Sequence, residues 1–211
     1  MIFILIILII VFFLNFICYW AFYFKSENIK NKSSKIFSII MIISAGLIPI
    51  VNSSLFQPFI NINVSYFEEY WLWFILLGIL FIAIGIKLHS LAIKAFNLRN
   101  NSPHQHQLLR KGIFEITRHP VYLSWWFIFL GITFVMDSIV ALIFCPILIV
   151  FIEFLGFFEE KYILLPEYGK KYNSYKQKTP NRLISQPYNY LLIIIAILVC
   201  YVGFLKISGI A

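Results

Sequence analysis

The residues that could carry chemistry form two polar clusters, one on each side of a long apolar stretch. The first cluster is Arg118-His119-Pro120, which runs directly into an apolar segment. The second begins with Glu159-Glu160 and continues through a segment rich in Lys and Tyr to Arg182. The apolar stretch is interrupted at Asp137-Ser138, and such a short turn predicts a helical hairpin. The two clusters should therefore return to the same face and form one site.

The first cluster is suited to binding an anion. Proline is favourable at the first position of a helix, and the free N–H groups of a first helical turn attract negative charge. Arg118 and His119 add further donors for a carboxylate or a phosphate. The same residues are also typical of a helix start with basic anchors at a membrane interface. The residue pattern by itself leaves both interpretations open.

The second cluster contains acids at positions that do not favour them. Glu159 and Glu160 end an apolar helix, where negative charge opposes the helix dipole. They could be a solvated helix end paired with nearby lysines, but the misfit favours a role in holding ribose hydroxyls or a cationic ligand. Glu153 lies about two turns deeper in the same apolar helix, and an acid at such a position is a functional hypothesis. Lys87 and His89 are possible partners, but the pattern fits equally well a Lys87 that extends its charge to the interface and a His89 that is satisfied by another group.

Three tyrosines follow the acidic pair. Tyr168, Tyr172 and Tyr175 have the spacing of one helical face, on a helix that we expect to begin at Pro166. The lysines around them predict an amphipathic helix at the membrane surface. The rings could also pack over a bound ligand, and the two interpretations are compatible.

The composition predicts an all-α integral membrane protein. The chain has 211 residues, of which 61% are hydrophobic and 12% charged, whereas soluble domains are nearer half apolar and a quarter charged. The net charge of +8 lies between apolar runs rather than on one basic surface, which argues against nucleic acid as a partner. His104 and His106 form a short pair without a third ligand, so we predict no metal site.

Six apolar runs predict about six transmembrane helices in a single domain, which spans residues 1–211. The runs are residues 2–24, 36–51, 70–93, 121–136, 138–158 and 188–205. The loops after the first, third and fifth runs hold four, five and six of the 17 Lys and Arg, which places these loops on the cytoplasmic side. We expect residues 1–98 to form the first three spans, residues 108–183 the site, and residues 188–205 the last span.

The two clusters resemble the motifs of a known superfamily. The segment from Gly112 and Phe114 to Arg118-His119-Pro120 and Tyr122 is similar to "G-x-[FY]-x-x-x-R-[HN]-P-x-Y" of the isoprenylcysteine carboxyl methyltransferase and phospholipid methyltransferase superfamily. The second motif, "EExxL…G…Y…Y…PR", is matched by Glu159, Glu160, Leu164, Gly169, Tyr172, Tyr175 and the segment Pro180 to Arg182. The chain departs from the pattern at Asn181, which interrupts the usual Pro-Arg, and at Ser124, where many relatives have glycine.

The resemblance implies a membrane-embedded methyltransferase that uses S-adenosylmethionine. It implies that Arg118 and His119 hold the methionine end of the cofactor and that Glu159 and Glu160 bind its ribose or amino group. The cofactor-binding residues expected on this basis are Gly112, Arg118, His119, Pro120, Tyr122, Glu159, Glu160 and Tyr172. The acceptor would be lipophilic or small: an isoprenylcysteine carboxylate, a phospholipid amine or a thiol. We expect catalytic roles for Arg118 and for Glu153, which would take the proton of an amine acceptor.

Two other functions are alternatives to this one. The first is a reductase that resembles the sterol reductases and uses a nicotinamide cofactor, although no further motif of those enzymes is found. The second is a membrane scaffold without catalytic activity. The abundance of Phe, Ile, Asn and Lys suggests an AT-rich genome such as that of a bacterium. We therefore expect the protein in the bacterial cytoplasmic membrane, or in the endoplasmic reticulum of a eukaryote, with the site facing the cytoplasm.

Overall fold

The computed structural model describes residues 2–23, 36, 39–40, 43–50, 71–100, 107–184, 190, 193–194, 197–198 and 201. Most of these residues are helical and none of them is in a strand, which confirms the all-α prediction for this part of the chain. The helices are α1 (Ile2–Tyr23), α2 (Trp71–Asn100), α3 (Ile113–Ile116), α4 (Pro120–Val135), α5 (Ile139–Glu159), α6 (Leu165–Tyr168) and α7 (Lys170–Lys178). A π-helical turn, Glu160–Leu164, joins α5 to α6, and residues 43–50 form a further helical segment.

The predicted membrane topology is covered in part by the described residues. Among them, the helix over residues 72–99 is long and apolar enough to cross a membrane, as judged by length and composition. Helices α4 and α5 begin and end within one residue of the apolar runs predicted for them. Most of the last run, part of the second, and the pair His104 and His106 lie outside the described residues, so six spans stay a prediction.

Helices α2 and α4 are in direct backbone contact because glycines face one another. A Cβ atom added to Gly78 would lie 2.7 Å from the carbonyl oxygen of Gly131, and one added to Gly131 would lie 2.5 Å from that of Gly78. Two turns along α2, a Cβ atom on Gly85 would lie 2.9 Å from the carbonyl oxygen of Ser124. Small residues let apolar helices approach closely in this way. The contact fixes the start of α4 relative to α2.

A Gly131→Ala substitution should therefore lower the free energy of unfolding by about 1–3 kcal/mol, because the new methyl group would overlap the backbone of Gly78. Gly46→Ala is a matched control, since a Cβ atom there would meet nothing within 4 Å. Both substitutions gain the same helix propensity, so their difference isolates the clash. Denaturant unfolding in detergent measures it, and equal stability of the two variants would contradict the close packing of α2 and α4.

Helix α5 lies between α1 and α4 and ends at the acidic pair Glu159-Glu160. The side chain of Ser138 caps its start by accepting a hydrogen bond from the backbone N–H of Ala141. Along its length, the buried ring of Phe144 lies 5.9 Å from Phe12 of α1 and 6.0 Å from Phe129 of α4, measured between ring centroids. These edge-on and tilted ring pairs hold α5 in place, so that its last residues reach the first turn of α4.

Candidate active site

The site begins where the segment before α4 pairs with the segment after α7. The backbone N–H of Arg118 donates to the carbonyl of Asn181 at 3.3 Å, and that of His119 donates to the carbonyl of Arg182 at 3.1 Å. The hydroxyl of Thr117 also donates to the Arg182 carbonyl, at 2.8 Å. The two polar clusters of the sequence therefore lie together. Residue 181 contributes a backbone carbonyl to this pairing, which any side chain would permit.

Glu160 is the centre of a buried charge cluster. Its Oε1 atom lies 3.2 Å from Arg118 Nη2, from His119 Nε2 and from Arg182 Nε. Burial by itself disfavours the charged carboxylate. Hydrogen bonds from His119 and Arg182 and the charge of Arg118 outweigh that effect and lower the pKa of Glu160 to about 2. The carboxylate is therefore ionised at neutral pH and binds three cations at once.

His119 lies between two carboxylates. Its Nδ1 atom is 3.2 Å from Glu159 Oε2 and its Nε2 atom is 3.2 Å from Glu160 Oε1. An ionised carboxylate can only accept, so both ring nitrogens must donate and the ring is an imidazolium. Burial opposes both charges, but the two carboxylates raise the pKa of His119, and His119 in turn lowers the pKa of Glu159. The ring also stacks on Tyr122, with centroids 5.4 Å apart.

These shifts predict that the cluster is most stable at mildly acidic pH. His119 has a folded-state pKa above its ordinary value of 6.5, so its contribution is complete below pH 6.5 and is lost as the pH rises through the raised pKa. Glu160 has a folded-state pKa of about 2, below its ordinary 4.5, so its contribution is complete above pH 4.5 and is lost as the pH falls through 2. The free energy of unfolding should therefore decline on the alkaline side. In His119→Asn, measured by chemical unfolding over the same pH series, that decline should be smaller. Identical pH profiles would contradict an imidazolium at this position.

Arg182 links the cluster to the acid inside α5. Its Nη1 atom donates to Glu153 Oε2 at 2.7 Å, while its Nε atom donates to Glu160. A Cβ atom on Gly156 would lie 2.7 Å from Arg182 Cδ, so the absence of a side chain at this point of α5 leaves room for the arginine. The negative charge of Glu153, the acid within the apolar helix, is thus paired with the positive charge of Arg182, which lies far from the first motif in the sequence.

Of the two alternatives for Lys87 and His89, the structure shows the one in which neither residue pairs with Glu153. Glu153 pairs with Arg182, whereas His89 Nδ1 forms a hydrogen bond with Ser124 Oγ at 3.2 Å and Lys87 is exposed. Arg182 was visible in the sequence as the end of the second motif, but no local pattern indicated that its side chain would reach two acids.

A cavity of about 320 Å³, here called the polar cavity, opens beside the charge cluster. This volume is within the range of pockets that bind small molecules. Six of the predicted site residues line it: Arg118, His119, Pro120, Tyr122, Glu159 and Tyr172. Most of the remaining wall is aromatic or aliphatic and includes Phe96 of α2 and Phe114 of α3.

Three predicted residues do not line the polar cavity. Glu160 lies behind its wall and holds the two basic residues of the first cluster, and Glu153 lies next to Arg182. Gly112 precedes α3 with a φ of 67°, in the region of backbone conformation that favours glycine. The structure therefore explains Gly112 by the turn that it forms.

Arg118 lines the polar cavity and has donors that are not used within the protein. Its Nη2 atom binds Glu160, whereas its Nε and Nη1 atoms are buried and have no hydrogen-bond partner in the part of the chain that the structure describes. The buried hydroxyl of Tyr172 lies near Glu160, although the two are not within strict hydrogen-bond geometry. Burial and the charge of Glu160 raise the pKa of Tyr172, which keeps the hydroxyl protonated. Because buried polar atoms are normally satisfied, the Arg118 donors indicate a missing ligand with acceptor atoms.

The three tyrosines line the polar cavity, although not on one helix as predicted. The continuous helix expected from Pro166 was wrong, because the chain breaks between α6 and α7 at Gly169, which has a φ of 52°. Tyr172 and Tyr175 nevertheless occupy one buried face of α7 and pack on Phe114, whose carbonyl accepts a hydrogen bond of 2.6 Å from the Tyr175 hydroxyl. This bond ties α7 to the first motif.

A comparison with models of protein families finds that residues 73–171 match the phospholipid methyltransferase family. The match runs from α2 to the start of α7 and includes both the first motif and the acidic pair. It confirms the resemblance that the motifs indicated. No curated protein and no solved structure matches the chain.

Proposed function

From the phospholipid methyltransferase domain at residues 73–171, we propose that this protein is a membrane methyltransferase that uses S-adenosylmethionine to methylate a lipophilic acceptor. The family and the apolar helix over residues 72–99 support the membrane and methyltransferase parts of the proposal. The single observation that supports the cofactor concerns Arg118, which lines the polar cavity: two of its nitrogens have no partner among the described residues.

The residues of the polar cavity fit S-adenosylmethionine. Its carboxylate requires N–H donors, which Arg118 Nε and Nη1 would supply. Its amino group or ribose hydroxyls require an acceptor, and the Glu159 carboxylate lines the cavity with 30% of its side chain exposed. Its adenine requires flat apolar walls, for which Phe96 and Phe114 are available.

The chain's own residues would act chiefly by orientation and by excluding water. S-adenosylmethionine, when bound, supplies an electrophilic methyl group on a sulfonium. Holding reactants in a productive orientation can contribute about 7–11 kcal/mol to a rate. Tyr122 stacks on His119, and Tyr172 is buried in the packing of α7, so contacts within the protein hold both rings at the polar cavity. Glu160 keeps Arg118 in position while leaving two of its nitrogens for the ligand.

Methyl transfer tests the proposal directly. Purified protein in lipid nanodiscs would be incubated with methyl-tritiated S-adenosylmethionine and amine, carboxylate and thiol lipids, and label would be counted in the organic extract. We expect incorporation by the wild type and by Lys111→Ala, an exposed control, and loss of it in His119→Ala. If no acceptor were labelled and a reduced nicotinamide cofactor were oxidised instead, the reductase function would replace this one.

A further inference from the structure

Helix α7 has two faces of different character. Tyr172 and Tyr175 are buried on the face that packs on Phe114, and both line the polar cavity. A different side of the helix carries polar residues at a spacing of four, with one more lysine beside them. Because an α-helix has 3.6 residues per turn, these residues form one continuous stripe. The stripe, here called the lysine face, is fully exposed and consists of Lys170, Lys171, Ser174 and Lys178.

The lysines of this face have no partner of opposite charge in the part of the chain that the structure describes. Helix α7 contains no acidic residue, and its lysine that approaches an acid there is Lys176 on the other flank, 4.0 Å from Glu160 Oε2. Lys170 and Lys171 also lie in the first turn, where positive charge opposes the helix dipole. These two charges therefore disfavour the helix unless an anion from outside the chain lies near them.

The chain just before α7 has the residues of a membrane boundary. Phe157 and Tyr162 are exposed where the apolar helix α5 ends, and Lys161 Nζ lies 5.9 and 5.1 Å from the centroids of these two rings. Tyrosine and lysine side chains are typical of the membrane–water interface. Lys170 follows Tyr162 by eight residues. Eight residues of helix span about 12 Å, which is comparable to the screening length of charge in physiological salt, about 8–10 Å.

A force on the lysine face would reach the polar cavity through the tyrosines. Helix α7 has nine residues, which is too short for a helix to be stable by itself. Its position depends on the burial of Tyr172 and Tyr175 and on the hydrogen bond of 2.6 Å from the Tyr175 hydroxyl to the Phe114 carbonyl. An additional contact that favours the packed helix therefore favours an intact wall of the polar cavity.

We propose that the lysine face of α7 binds the anionic head groups of membrane phospholipids, and that this contact stabilises the cavity wall and raises the affinity for the cofactor. The lipid contact stands on the charges and position of α7, whereas its effect on the cofactor rests on the proposed function. Lysine binds phosphate as a point charge, and each lysine near an anionic surface adds roughly fivefold to binding. By linkage, bound cofactor would strengthen the lipid contact by the same factor.

The test uses the full-length protein in nanodiscs of phosphatidylcholine, either alone or mixed in equal parts with phosphatidylglycerol. Two readouts need no turnover: hydrogen exchange of the α7 amides, followed by mass spectrometry, and the dissociation constant of S-adenosylmethionine from equilibrium dialysis. In the wild type, phosphatidylglycerol should slow the exchange of α7 at least about fivefold and should tighten cofactor binding by a similar factor.

Two triple variants assign these effects to the lysine face. Lys170→Gln combined with Lys171→Gln and Lys178→Gln removes its charges at little cost in helix propensity. This variant should lose the slowing of exchange and at least about fivefold of the gain in affinity. The control combines Lys94→Gln, Arg110→Gln and Lys111→Gln, which remove equal charge at exposed positions outside α7, and it should keep both effects. The general attraction of a cationic cofactor to charged lipid is the same for both variants, so their difference isolates α7.

Equal exchange of α7 in the two lipids, or equal losses in the two triple variants, would overturn the proposal. Inorganic phosphate that slowed the exchange as much as phosphatidylglycerol does would also overturn it, because the lysine face would then bind free phosphate. Exchange that depends on lipid charge while cofactor affinity does not would overturn the effect on the cavity wall. If the exchange depends on the lysine face as expected but the cofactor binds in neither lipid, the proposed function alone is contradicted.

Discussion

A Glu160→Gln substitution should lower the free energy of unfolding by about 3–5 kcal/mol, which is the usual cost of removing one partner from a buried ion pair. The side chain is 4% exposed, and its Oε1 atom lies 3.2 Å from nitrogens of Arg118, His119 and Arg182. Glutamine keeps the shape but removes the charge, so these cations would lose their shared partner inside the protein. The loss should therefore exceed that of any exposed acid-to-amide change in the chain.

Denaturant unfolding in detergent, followed by far-ultraviolet circular dichroism, measures this loss of stability. Glu115→Gln is the matched control, because Glu115 is an exposed acid on the short helix α3 and the substitution is chemically the same. We expect the control to differ from wild type by less than about 0.5 kcal/mol. Equal stability of the two variants would mean that Glu160 is not the centre of a buried charge cluster.

An Arg118→Lys substitution should weaken the binding of S-adenosylmethionine by roughly 10- to 100-fold while the protein stays folded. Lysine can keep the ion pair with Glu160 but lacks the planar fork of donors that would meet a carboxylate. The two nitrogens without a partner, Nε and Nη1, are the atoms that the substitution removes. Hydrogen bonds to charged groups contribute about 1.5–3 kcal/mol, which corresponds to this range of affinity.

Equilibrium dialysis with methyl-tritiated cofactor measures the ratio of dissociation constants. Arg110→Lys is the control, since Arg110 is exposed on the segment before the first motif and the same atoms are exchanged. Wild-type affinity in Arg118→Lys would show that the unpartnered nitrogens do not contact the cofactor, even if the cofactor binds elsewhere.

The parts of the fold that the sequence predicted well are those that depend on local signals. Pro120 and the pair Asp137-Ser138 mark the ends of two apolar runs, so the bounds of α4 and α5 follow from the sequence to within one residue. The contact between Arg118 and Glu160 agrees with the prediction that the apolar stretch between them turns back at Asp137-Ser138. Both inferences needed only the order of polar and apolar residues.

The parts that the sequence did not predict depend on tertiary contacts. The first half of helix α2, residues 71–86, is apolar on all sides, so nothing in its sequence indicates that Gly78 would face Gly131. The ion pair between Glu153 and Arg182 joins residues far apart in the chain. The break at Gly169 was missed because helical periodicity continues across it, although glycine at that point was a signal that could have been used.

The hydrogen bond between His89 and Ser124 also depends on a tertiary contact that the sequence did not predict. His89 was considered as a partner of an acid because both lie in apolar helices, and only the packing of α2 on α4 brings it to a serine instead. Ser124 stands at the position where many members of the superfamily that the motifs resemble have glycine. The departure therefore coincides with the residue that orients the His89 ring.

The most direct measurement is a calorimetric titration of S-adenosylmethionine into folded wild-type protein in detergent. One saturable site with a dissociation constant in the micromolar range is the expected result, with the heat reduced when the protein is first saturated with S-adenosylhomocysteine. A protein that is folded by circular dichroism and gives no saturable heat would contradict the assignment of the polar cavity to this cofactor.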